Sequence, residues 1–112
     1  MTESSPIFSK TFSMMRWIMQ VTEKFPKSER FRIAKQITDS IFFFQHVLIE
    51  LVYCDEKDKL FITADIELTK LRIYCRLGHE MKLFSLNQYE YFAFHVSEIG
   101  RLLGGWKHSI TG

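Results

Sequence analysis

The sequence predicts an all-α fold: an antiparallel, up-down-up-down four-helix bundle. Three observations predict it. First, the 112 residues hold only 2 Pro and 5 Gly, and four of the glycines lie at or beyond residue 100. An all-β sandwich or barrel needs turn residues every ~8–12 positions. Second, no glycine-rich turn follows a first strand, as a βαβ nucleotide fold requires. Third, apolar residues recur at steps of three and four along four long stretches. The chain is 46% hydrophobic and 25% charged, which excludes disorder and fibrous repeats. Its length fits one domain over residues 1–112, with no room for a second.

The first helix is expected over about residues 5–25. Ser5 followed by Pro6 fits a cap and a first helical position. Phe8, Phe12, Met15 and Met19 make one apolar stripe; Ile7, Met14, Ile18, Val21 and Phe25 make a second, and Trp17 widens it. That is more apolar face than a surface helix of a monomer carries, so part of it, Trp17 included, is expected to serve as core or to face another subunit. Pro26 breaks the pattern. The second helix is expected over about 27–54, with a seam of Phe31, Ala34, Ile37, Ile41, Phe44, Leu48 and Leu51. Phe43, beside Phe42, interrupts its polar side and reads as a subunit contact.

A polar turn over residues 55–58 leads to a third helix over about 59–82, with a seam of Leu60, Ala64, Leu68, Leu71, Cys75 and Gly78. Ser85-Leu86-Asn87-Gln88 matches a capping box and starts the fourth helix, expected over about 86–104. Tyr89, Phe92, Val96, Ile99 and Leu103 form its seam, and Gly104-Gly105 are expected to end it. Phe94 lies on its polar side and is a further subunit contact. Trp106 is expected to pack over the bundle end.

The hairpin geometry bears on chemistry. Cys54 and Cys75 stand about 24 Å apart along helices rising ~1.5 Å per residue, too far for an intramolecular disulfide. Both read as small core residues. The four histidines show no H-x-x-x-H or E-x-x-H spacing, so no metal site or cofactor is expected. There is no P-loop and no nucleophile elbow, and no paired acids suited to general acid–base work, so catalysis is not expected. The most apolar stretch, residues 41–54, is interrupted by Gln45, His46 and Glu50 and is too short to span a bilayer. The N-terminus lacks a signal-peptide layout, and a cytoplasmic protein is expected.

Charge is distributed unevenly. Residues 1–35 balance to +4, residues 36–69 to −5 and residues 70–112 to +3. Lys27, Arg30, Arg32 and Lys35 cluster at the start of the second helix; Lys70, Arg72 and Arg76 lie on the third; Arg101 and Lys107 lie on the fourth. Folding back the helices is expected to bring these groups to one end of the bundle. Phosphate binding would give like charges a reason to gather there. The alternative is a solvated face with helix ion pairs such as Arg76–Glu80 and Glu67–Lys70.

Trp17, the run Thr22-Glu23-Lys24-Phe25-Pro26-Lys27-Ser28-Glu29-Arg30-Phe31, Leu71-Arg72, Gln88-Tyr89 and the ending Glu98-Ile99-Gly100-Arg101-Leu102-Leu103-Gly104-Gly105-Trp106-Lys107 resemble the accessory variability determinant (Avd) of diversity-generating retroelements. The F-P-K-S-x-R corner is shared with four-helix proteins encoded in intervening sequences of ribosomal RNA genes. The I-G-R-x-x-G-G-W ending is the more specific part. The resemblance implies a four-helix bundle assembled as a barrel-shaped homopentamer, encoded by a bacterium, archaeon or phage. It also implies a non-catalytic role: binding nucleic acid and the retroelement's reverse transcriptase, whose error-prone cDNA diversifies a target gene by retrohoming. Two alternatives stand beside it, an intervening-sequence protein without a polymerase partner and a helical protein-binding adaptor.

Overall fold

The computed structural model describes residues 5–111. Among these residues five helical segments follow in order: α1 (Pro6–Thr22), α2 (Lys27–Arg30), α3 (Ile33–Tyr53), α4 (Asp58–Glu80) and α5 (Leu86–Thr111). The described residues contain no strand. The four long helices pack as a bundle 43 Å in its longest dimension and 22–23 Å across. Each long helix borders two others, in the cyclic order α1, α3, α4, α5.

Cross-helix contacts fix the register. Ser40 Oγ of α3 donates to Glu67 Oε1 of α4 at 3.0 Å, and Lys70 Nζ donates to the same oxygen at 3.0 Å. This buried carboxylate is thereby neutralised inside the α3–α4 contact. The Cys75 thiol donates to the Tyr89 carbonyl across α4 and α5 at 3.7 Å, and the Phe61 and Trp106 rings meet edge-on at 5.7 Å. Lys10 of α1 pairs with Glu98 of α5 at 3.0 Å, and Phe8 meets Trp106 at 6.5 Å between ring centroids. The core is the interior these contacts enclose: Ile7, Met14, Ile18, Ile37, Ile41, Phe44, Leu48, Leu51, Leu68, Leu71, Phe92 and Ile99 are all but inaccessible.

The ends of the helices are set locally. Pro6 occupies the first turn of α1. The capping box forms at α5: the Gln88 N–H donates to Ser85 Oγ at 3.1 Å and the Ser85 N–H donates to Gln88 Oε1 at 2.9 Å. α4 closes with a left-handed residue, Lys82 at φ 62°. The Leu83 N–H donates to the Gly78 carbonyl and the Lys82 N–H to the His79 carbonyl, which is the Schellman arrangement.

Four expectations need correction. The helix expected over 27–54 is broken at Phe31 and Arg32, which separate α2 from α3. Phe31 does not belong to the seam; it is 85% exposed. The backbone leaves helical geometry at Arg32 (φ −107°, ψ −103°), so Phe31 ends α2 and does not continue the line of Ile37, Ile41 and Phe44 on α3. α5 does not stop at Gly104-Gly105 but runs to Thr111. Leu103 and Trp106 extend the seam beyond Ile99, and burying Trp106 against Phe8 and Phe61 outweighs the helix-weakening glycines. Cys54 is exposed, because the chain leaves α3 in an extended conformation at that residue; only Cys75 is a core residue.

Candidate nucleic-acid interface

The basic residues do not share one end. The corner holding Lys27, Arg30 and Arg32 lies at the end of the bundle where Arg32, Ile33 and Gln36 line a groove with Tyr74, Leu77 and Met81. The last turns of α5 lie at the other end, where Trp106, Ser109 and Ile110 line a cleft with Leu51, Val52 and Lys57. Lys107 therefore sits far from the α2 corner, and the expected gathering of both clusters with the end of α5 does not occur. The reason is connectivity: α5 starts beside the end of α4, so its own end must return to the opposite pole.

Several of the cations have structural partners. Arg30 closes α1: its Nε donates to the Phe25 carbonyl at 3.4 Å and its Nη2 to the Glu23 carbonyl at 3.2 Å. Carbonyls at a helix C-terminus carry partial negative charge, so a guanidinium is well placed there. Arg32 pairs with Glu29 at 2.9 Å and Lys35 with Asp39 at 2.6 Å. Lys70 holds the buried Glu67. Arg76 approaches Glu80 at 3.6 Å; such an exposed pair contributes little and leaves the cation accessible. The side chains of Lys27 and Arg72 have neither a hydrogen bond nor an ion pair among the described residues. Arg101 also makes no ion pair there, although its charge helps to hold Glu98 below the usual carboxylate range; contact with Lys10 is the principal cause of that shift.

Sequence reasoning missed the relation of Gly100 to Arg72. A Cβ at Gly100 would lie 2.9 Å from Arg72 Nη2, so the guanidinium of α4 lies directly over the bare backbone of α5. The available signal was a glycine inside an uninterrupted helical pattern, which costs stability and calls for a reason.

The apolar surface is extensive. Phe42, Phe43 and Phe94 are exposed. Trp17 is different: its ring is half-covered by Phe84, Tyr91 and Phe92 of its own chain, with centroids 4.8–6.2 Å away. Two further features were not read from the sequence. Ile62, Ile66, Ile73 and Leu77 form an exposed stripe along α4 at steps of four, seven and four. Met19, Phe31, Ala34 and Thr38 line a groove of about 660 Å³ between α1 and α3, rimmed by Glu23, Arg30, Lys35 and Asp39.

The described residues hold no group of three or more potential metal ligands. None of their helices is long and apolar enough to cross a membrane. Among the described residues, fold and surface together define a helical bundle that presents exposed cations and exposed apolar faces. A family profile described as bAvd-like matches residues 7–110, and the chain belongs to that family. No curated protein and no solved structure matches it.

Proposed function

We propose that this chain is a non-catalytic accessory subunit of a diversity-generating retroelement. It forms an antiparallel, up-down-up-down bundle that assembles into a barrel-shaped homopentamer. It holds the retroelement's reverse transcriptase and template RNA in one complex competent for mutagenic cDNA synthesis. The observation that carries this reading is the bAvd-like match across residues 7–110, which includes the Phe25-Pro26-Lys27-Ser28 corner and the Gly100–Trp106 segment.

The surface chemistry supports it. Lys27, Arg72 and Arg101 are free of ion pairs among the described residues and suit phosphate, with Arg76 adding an accessible charge. Arg30, Arg32, Lys35 and Lys70 are engaged by carbonyls or carboxylates of their own chain and add positive potential elsewhere on the surface. Lys107 extends the basic surface toward the far pole. The α4 stripe and the α1–α3 groove, with Phe42, Phe43 and Phe94, supply apolar surface for assembly. A net charge of +2 per chain is small, so assembly has to align the patches of several copies.

The test is an affinity capture of the tagged protein from its native host, with bound proteins and RNA identified. A reverse transcriptase recovered with one discrete RNA is the expected result. Recovery of neither, from cells shown to express the retroelement, refutes the reading.

A further inference from the structure

We propose that Gly100 is a positioning residue for nucleic-acid binding: its missing side chain lets the Arg72 guanidinium of α4 lie across α5 beside Arg101, where the two arginines grip the phosphodiester backbone of a single RNA strand.

A glycine in a helix interior is unfavourable relative to alanine, and Gly100 lies well inside α5. No positive φ requires a glycine there. What its absence of a side chain provides is room: a Cβ would stand 2.9 Å from Arg72 Nη2 and 3.8 Å from the Leu68 side chain. The Leu68 distance is an ordinary contact, so the guanidinium alone is the group that Gly100 accommodates. The glycines further along do nothing of the kind, because a Cβ at Gly104 or Gly105 would meet nothing within 4 Å.

The seated group has no acid to hold it. Arg72 is exposed and has no ion-pair partner among the described residues. Bond geometry places its Nη2 within about 8 Å of the Arg101 Cα, since adjacent Cα atoms are ~3.8 Å apart. The carboxylate that Arg101 acts on, Glu98, is engaged by Lys10 of α1, so two neighbouring guanidiniums repel each other and gain from a shared anion. A planar fork of N–H donors matches phosphate oxygens. A side chain at position 100 would push the Arg72 fork off α5 and separate it from Arg101.

This inference rests on the nucleic-acid reading above, and the experiment separates the two failures. Binding of a labelled single-stranded RNA is measured over a range of salt for the wild type, Lys27→Ala, Arg72→Ala, Arg101→Ala, Gly100→Ala, Gly100→Leu and the double variant Arg72→Ala with Gly100→Leu. Helical content and oligomer size are checked for each. Losing one phosphate contact should reduce the salt slope by ~0.7 for a single strand, equivalent to about a fourfold loss of affinity near 0.15 M salt. Arg72→Ala and Gly100→Leu should each show that loss, and Gly100→Ala a smaller one, because the flexible end of Arg72 can step around a methyl group. The double variant should be no worse than Arg72→Ala. Independent, multiplying losses in the double variant would mean that Gly100 acts without Arg72, and would overturn the seat. An unchanged Arg72→Ala slope beside a reduced Lys27→Ala slope would overturn the clamp and leave the nucleic-acid reading standing. Wild-type protein without salt-dependent RNA binding would overturn both, whereas loss of reverse-transcriptase capture by these variants with RNA affinity intact would overturn the clamp alone.

Discussion

One substitution, glycine to alanine, should have opposite signs at different places in this bundle. At Gly104 and Gly105 an added methyl group meets no atom within 4 Å. Both residues lie inside α5, so each change keeps the helix propensity gain of about 0.5–1 kcal/mol. Unfolding entropy of about 2.1 cal/mol/K per residue makes 1 kcal/mol worth roughly 4 °C in a chain of this size. The double variant should therefore melt about 4–8 °C above the wild type. At Gly78 the same methyl would lie 2.6 Å from two ring carbons of Phe84. That ring cannot retreat: it is buried and hemmed in by Phe25 at 5.3 Å, Phe92 at 5.5 Å and Trp17 at 6.2 Å. Overpacking of this kind costs about 1–3 kcal/mol and exceeds the propensity gain, so Gly78→Ala should melt below the wild type by a few degrees. The assay is thermal unfolding by circular dichroism at one fixed protomer concentration, because association shifts apparent melting temperatures. A Gly78→Ala protein melting above the wild type would refute the rigid aromatic cluster. A Gly104→Ala, Gly105→Ala protein melting below it would refute the open space over α5.

Four further outcomes are expected. Lys82→Gly relieves a left-handed non-glycine residue in the Schellman turn and should raise stability by about 0.5–1 kcal/mol in denaturant titration. Burial pushes the Cys75 thiol up to about 12, so at pH 8 an alkylating reagent should label exposed Cys54 quickly and Cys75 only on unfolding, read by mass spectrometry. Glu98 is held below the usual carboxylate range chiefly by Lys10. A depressed folded-state value stabilises above the unfolded carboxylate range and loses that contribution as pH falls through the folded value. Melting curves of Lys10→Met and the wild type should therefore differ near neutral pH and converge in acid; a constant gap would refute the pairing. Ile66→Lys with Ile73→Lys places two charges in the exposed α4 stripe and should yield a smaller species by light scattering with helicity unchanged; an unaltered mass would remove that stripe from the assembly.

Sequence alone determined the helices and their seams, because a period of three to four is a local property that survives without any knowledge of neighbours. Ile37, Ile41, Phe44, Leu48 and Leu51 were legible as core for that reason, and so was the Ser85–Gln88 box, whose hydrogen bonds span three residues. The family signature was equally legible, since it is a matter of residue order. Tertiary structure decided the rest. It carried α5 through two glycines, because the burial of Trp106 depends on Phe8 and Phe61, which are remote in sequence. It turned Phe31 outward and split the expected second helix at the corner. It also dispersed the basic residues: charge counts along a chain do not say which cations will meet Glu29, Asp39 or Glu67, or which pole of the bundle Lys107 will reach. The seat of Arg72 on Gly100 joins α4 to α5 across 28 positions of sequence. Only the packing of those two helices brings a side chain from one over the vacant position on the other.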